Sequence, residues 1–137
     1  GINVFAGKDK ATVVTDTGVI SDSILRRMDD TTLLVLEANY DPHMLRFGPY
    51  QPFLKQRVAS DEGHLSNEMA AQALLMMNRP DFMQVILAHR SENNNNAVLV
   101  TQTIGKMLVD GGVRIGPEMK LQHGQPNEIV SMKSVKR

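Results

Sequence analysis

The sequence predicts an α/β fold, and three observations predict it. Apolar runs rich in β-branched and aliphatic residues lie at residues 11–15, 32–36 and 82–88. Between them, apolar residues recur at helical spacing. Each run stops at a residue equipped for chemistry: Asp16, Glu37 and His89. Strand and helix patterns in alternation are the signature of parallel βαβ units.

Taken in order, Ala11-Thr12-Val13-Val14-Thr15 stops at Asp16-Thr17-Gly18, the composition of a strand that passes into a turn. Ser21 and Asp22 supply a cap for a helix through Ile24, Leu25 and Met28. Residues 32–36 are almost continuously apolar, as a strand buried on both faces would be, and end at Glu37. Strand, helix and strand in succession predict a parallel pair. From 39 to 63 the pattern loosens, with Pro42, Pro49 and Pro52, the aromatics Tyr40, Phe47, Tyr50 and Phe53, and the cations Arg46, Lys55 and Arg57. That composition predicts a long functional loop with short helices in it.

Ser66 is placed as the N-cap of a helix whose buried face is Met69, Ala70, Ala73, Leu74 and Met77, and Pro80 follows its end. Residues 82–88 form the next buried strand and deliver His89 at its tip. The asparagines 93–96 lead into a helix through Val98, Ile104 and Leu108, which Gly111-Gly112 terminates. Residues 113–115 and 128–132 read as edge strands, and the basic tail from Lys133 as frayed.

Composition bounds the function. A chain of 137 residues suits one compact domain with a core of its own. The formal charge is zero, so totals give no strongly basic face, although a local basic patch would suffice for nucleic acid. There is no cysteine, which removes disulfides and thiolate metal sites and agrees with a reducing compartment. No apolar stretch is long enough to cross a bilayer, and the first residues lack a secretory signal pattern. The expectation is a soluble, cytoplasmic protein.

In an open α/β sheet the carboxyl ends of parallel strands gather at one edge, so Asp16, Glu37 and His89 are expected to meet there, with His64 arriving from the preceding loop. Singly, each residue has an ordinary explanation: a turn former, a solvated carboxylate, a helix-capping imidazole, a structural histidine. Their joint order is what predicts a site. His43 and His123 occupy no such position, and the methionines at helical spacing are core filler.

The segments Thr15-Asp16-Thr17-Gly18, Leu36-Glu37-Ala38-Asn39, Gly63-His64-Leu65-Ser66-Asn67-Glu68 and Leu87-Ala88-His89-Arg90-Ser91 together resemble the C-terminal half of a metallo-β-lactamase-fold hydrolase. Within it the likeness is to the YycJ (WalJ or VicX) branch, and Leu45-Arg46-Phe47-Gly48-Pro49-Tyr50 and Leu54-Lys55-Gln56-Arg57 extend it over most of residues 1–110. The resemblance implies half of an αββα sandwich, a mixed sheet with flanking helices. It implies that Asp16 is the carboxylate bridging two divalent metal ions, zinc or manganese, and that His89 completes the second ion's shell. It makes Glu37 and His64 the catalytic pair that orients and supplies a proton to the leaving oxygen.

The implied activity is that of a phosphodiesterase, a DNA exonuclease in which two metal ions activate hydroxide, with nucleic acid as substrate. Arg46, Lys55 and Arg57 are then candidate phosphate contacts, and the asparagines after Ser91 candidate supports of the site. The same fold also hosts hydrolases of small esters, lactones or cyclic nucleotides. The family's His-x-His-x-Asp-His cluster is missing from these residues, so residues 1–137 are expected to be a partial domain lacking the N-terminal half. Two ligands fall short of the roughly three or four that a working site needs. Such a fragment should be inactive alone, and its bared interface should favour homo-oligomers, or even a purely non-catalytic, self-associating module.

Overall fold

The computed structural model describes residues 2–124. A hairpin of β1 (Ile2–Ala6) and β2 (Asp9–Val14) is followed by α1 (Asp22–Met28), β3 (Leu33–Glu37), the short helices α2 (Pro42–Phe47) and α3 (Pro52–Ala59), α4 (Asn67–Met76), β4 (Met83–Ala88), α5 (Ala97–Asp110) and β5 (Met119–His123). The strands form one sheet in the order β1-β2-β3-β4-β5. β1 pairs antiparallel with β2, and every other pairing is parallel. The α/β class and the mixed sheet with flanking helices therefore stand.

Local chemistry explains the helix boundaries. The Ser21 hydroxyl accepts from Ile24 N–H at 3.2 Å and the Ser66 hydroxyl from Met69 N–H at 3.1 Å. Asn96 caps α5 by accepting from Leu99 N–H at 2.8 Å. Pro42 and Pro52 open α2 and α3, where a missing N–H costs nothing. Gly111 closes α5.

Alternate strand residues build the core. Val14, Leu34, Leu36, Met83, Val85, Leu87 and Met119 pack with Met28 of α1, Ala70, Ala73 and Leu74 of α4, and Val100, Ile104 and Leu108 of α5. Each fully buried aliphatic side chain here contributes about 1.5–3 kcal/mol. On the other face of the sheet, the register puts Ile2 beside Val13 and Val4 beside Ala11, and Ile2, Val4 and Val13 are exposed.

Two strands differ from expectation. Residues 113–115 do not form an edge strand: Val113 is buried in the core and Ile115 makes only an isolated bridge to Met119. The cause is the bending of the chain on both sides, at Gly112 (φ 92°) and Gly116 (φ 107°), with a turn closed by Glu118 N–H donating to Arg114 O at 2.9 Å. The edge position belongs to β5, whose alternation is weak because only Met119 and Leu121 are apolar and inward. The opposite edge is β1, turned back by Gly7 at φ 60°, the positive φ that tight hairpins require. The expected strand at 128–132 and the basic tail lie outside the described residues. Among the described residues no helix is long and apolar enough to cross a membrane.

Candidate metal and catalytic site

Because β2, β3 and β4 run parallel, their carboxyl ends lie along one edge of the sheet. Glu37 is the last residue of β3, His89 follows β4 directly, and Asp16 stands two residues beyond β2. His64 lies between α3 and α4. The four offer ligand atoms all within 4.8 Å of one another, and they form the one such group among the described residues.

Glu37 is the centre of the group. It is fully buried, whereas the side chains of His64, His89 and Asp16 are 29%, 49% and 72% exposed. Its Oε1 lies 3.1 Å from His64 Nδ1, hydrogen bonds with His89 Nδ1, and accepts from Asp16 N–H at 3.4 Å. Its Oε2 accepts from Leu65 N–H at 3.0 Å. A buried carboxylate is tolerated only when several donors replace water in this way. Asp16 Oδ1 approaches His89 Nδ1 at 3.4 Å and His64 Nδ1 at 3.9 Å. The two imidazole rings meet edge to face, centroids 5.0 Å apart.

The resemblance implies a pairing of Glu37 with His64 alone; the structure makes Glu37 common to both histidines. Both imidazoles turn Nδ1 toward the carboxylates, and Nε2 of each makes no hydrogen bond among the described residues.

Backbone geometry aims these side chains. Asp16 and His89 both take left-handed backbone, φ 58° and 56°, a conformation that costs a residue with a Cβ about 1 kcal/mol or more. Strain of this kind gathers where function requires an abrupt change of direction. Asn39 holds one of them: its Nδ2 donates to His89 O at 2.6 Å, while Asn39 O accepts from Ser91 N–H at 2.9 Å. The buried amides of Asn67 and Asn95 bond each other reciprocally at 3.0 and 2.8 Å, and Asn95 Nδ2 also donates to Ala38 O at 3.1 Å. Thus the amide pair joins the segment after β3, the first residue of α4 and the segment before α5. The supporting role expected of the asparagine run falls to Asn95, and Asn39 and Asn67 were not foreseen in the sequence.

Two glycines bring the loops together. A Cβ on Gly18 would sit 1.7 Å from Ser60 O, and one on Gly63 would sit 2.2 Å from the carbonyls of Arg57 and Val58. Gly18 N–H donates to Asp61 O at 2.9 Å across the same contact, which seats the Asp16 loop on the turn that leads to His64. Gly18→Ala should destabilise the protein by about 1–3 kcal/mol, because backbone and not a flexible side chain must yield. Thermal unfolding checks this, and an unchanged Tm would mean that the two loops are not packed in this way.

Two clefts hold members of the group. One of 310 Å³ is lined by Tyr50, His64, His89, Arg90 and Ser91 among others. A second, of 200 Å³, is lined by Asp16, Leu54, Arg57, Gly63 and His64. Arg46 and Lys55 instead border a third, of 370 Å³, with Tyr40, Pro42 and Leu45. Of the three cations singled out in the sequence, Arg57 alone shares a cleft with the four-residue group, whereas Tyr50 and Arg90 line the cleft with both histidines. His43 packs its ring 4.7 Å from Phe47, and His123 Nε2 hydrogen bonds the Thr101 hydroxyl at 2.8 Å. Burial, and then the charge of Arg90, hold His123 below the usual histidine range.

No family model matches the chain. Among curated proteins, the chain is 35% identical over 124 residues to the exodeoxyribonuclease WalJ of Streptococcus pneumoniae serotype 2 strain D39, and equally to that of strain ATCC BAA-255 / R6. These matches cover 90% of this chain and 46% of the relative. It is 32% identical over 117 residues to the exodeoxyribonuclease YycJ of Bacillus anthracis, covering 85% of this chain and 44% of that protein. The chain therefore spans about half the length of the curated relatives it matches. The resemblance read from the motifs is borne out along most of the chain.

Proposed function

From the likeness to the YycJ and WalJ exodeoxyribonucleases as premise, we propose that the full-length polypeptide is a metal-dependent phosphodiesterase that degrades DNA from its ends, and that Asp16, Glu37, His64 and His89 are its share of the reacting edge. The observation that supports this most is the meeting of four residues from four separate segments within one small volume.

The donor set suits a divalent ion. Two carboxylates and two imidazoles offer oxygen and nitrogen ligands of the kind zinc and manganese accept. Asp16, the most exposed of the four, and His89 beside it are the ligands we assign. Four donors within 4.8 Å fit one ion; a pair of ions calls for further ligands from elsewhere in the polypeptide. An ion bound here would supply Lewis-acid stabilisation of charge developing on the phosphoryl oxygens and lower the pKa of water.

The remaining chemistry rests on this chain's own side chains. His64 lines both clefts that flank the group, so it stands where a substrate passing from one to the other has its bond broken. Glu37 holds the imidazole by Nδ1, which leaves Nε2 to hand a proton to the departing oxygen. Arg57 is the cation best placed to contact a phosphate beside that bond.

The test is degradation of end-labelled duplex DNA by the full-length polypeptide, run beside small esters, lactones and cyclic nucleotides, with chelator and with zinc or manganese restored. Loss of labelled ends, abolished by chelation and regained with metal, is the expected outcome. Turnover of an ester or lactone with intact DNA would transfer the site to the other hydrolases of this fold.

A further inference from the structure

We propose that Arg90 holds a phosphate adjacent to the one being cleaved, on the His89 side of the group, and so positions the backbone of the nucleic acid for reaction. This rests on the nuclease reading above and adds a positioning residue to it.

The first observation is a cation at the site that the fold does not use. Arg90 is half-buried and lines the 310 Å³ cleft with His64 and His89. It makes no hydrogen bond or ion pair among the described residues. By contrast, Arg79 donates to Leu74 O and Leu75 O, Arg114 to Glu118, Lys106 to Asp110 and Lys10 to Asp29 O. Glu92 is the one acid among the described residues lining that cleft, and it does not pair with Arg90. A guanidinium partly withdrawn from water without a partner is costly, and a phosphate offers two oxygens matched to its fork.

The second observation is rigidity. The peptide groups on both sides of Arg90 are tied to one residue: Asn39 Nδ2 donates to His89 O at 2.6 Å, and Asn39 O accepts from Ser91 N–H at 2.9 Å. Asn39 is itself buried, and the carbonyl before it, Ala38 O, accepts from Asn95 at 3.1 Å. The Arg90 side chain therefore starts from a fixed point, directly after the left-handed residue His89. A phosphate contact sets the register of a nucleic acid only when the contacting group is itself held in place.

The third observation is the placement of charge about His64. Arg57 lines the 200 Å³ cleft with Asp16, Arg90 lines the other, and His64 lines both. A phosphodiester chain that passes His64 from one cleft to the other thus meets a guanidinium in each. The phosphate under attack lies at the four-residue group; the phosphates before and after it lie in the clefts, where Arg57 and Arg90 are the cations.

The experiment follows the first cleavage of end-labelled DNA by the full-length protein, with zinc or manganese supplied, on substrates altered at one phosphate. Either the end phosphate is removed or the second linkage is made a neutral methylphosphonate. Arg90→Gln should raise KM by about 10- to 100-fold, with kcat much less changed, and should flatten the slope of log kcat/KM against log salt by about 0.9. At one of the two positions, loss of the phosphate charge should slow the unaltered protein by a similar factor and add nothing to the defect of Arg90→Gln, since both changes remove one contact. Arg90→Lys keeps the charge and loses the fork, so it should regain the salt slope and the sensitivity to the missing phosphate charge. An Arg90→Gln protein as sensitive as the unaltered one at both positions would overturn the assignment, whether or not its activity had fallen, because damage to the fold or contact with the cleaved phosphate would leave that sensitivity intact. An unchanged KM and salt slope would overturn it too. Failure of the unaltered protein to degrade any of the substrates would overturn the nuclease reading together with this one.

Discussion

Alanine at Asp16 or at His89 in the full-length protein is expected to abolish DNA degradation and to lower the bound divalent metal measured by elemental analysis after dialysis. Asp16 presents an open carboxylate 3.4 Å from His89 Nδ1, and both residues sit in left-handed backbone immediately beyond parallel strands. A residue held in that conformation keeps its side chain aimed at the sheet edge whether or not an ion is present, so the ligands need little reorganisation to bind. Removal of one ligand from a site of three or four leaves too few bonds to hold the ion against water. Asp16→Ala should leave the folded state little affected, since that side chain is 72% exposed; His89→Ala empties no core space but takes one partner from the buried Glu37 carboxylate, so it should lower Tm while the protein still folds. A variant that keeps full metal stoichiometry would remove that residue from the ligand set, whatever its activity.

His64→Ala is expected to give the opposite split, with metal content near wild type and turnover down by about 10²- to 10⁴-fold, the range for loss of a general acid. The expectation follows from its place. His64 is the one member of the group that lines both flanking clefts, and its Nδ1 is occupied by a carboxylate that is buried and cannot turn away. Such an imidazole has one nitrogen fixed and one free, the arrangement needed to move a proton at a definite atom. A leaving group that departs easily as an anion should partly rescue the variant, because it needs no proton. Equal loss of metal and turnover would instead make His64 a ligand, and that is the result to look for, since Glu37 touches both imidazoles alike.

Much of this protein is legible in local sequence. The β-branched runs ahead of Asp16 and Glu37 and the apolar run ahead of His89 announce three strands, and Ser21, Ser66 and Gly111 mark helix ends through contacts only a few residues long. Periodicity and capping are short-range physics, so a linear chain carries them openly. Even the meeting of Asp16, Glu37 and His89 follows from topology, because parallel strands must end at one edge.

Tertiary structure decided the rest, wherever the partner is far along the chain. Glu37 binds His64 across 27 residues and His89 across 52, and no local pattern distinguishes a carboxylate that serves one imidazole from a carboxylate that serves two. Asn39 reaches His89 O across 50 residues, and Asn95 reaches Ala38 O across 57. The edge strands β1 and β5 became strands through pairing more than through composition. Residues 113–115 lost that role because glycines on either side bend the chain and Val113 is buried in the core. Periodicity and capping thus set what each segment can be. Which side chains share one buried carboxylate was settled only when the sheet closed, because burial removes water and makes every remaining hydrogen-bond partner obligatory.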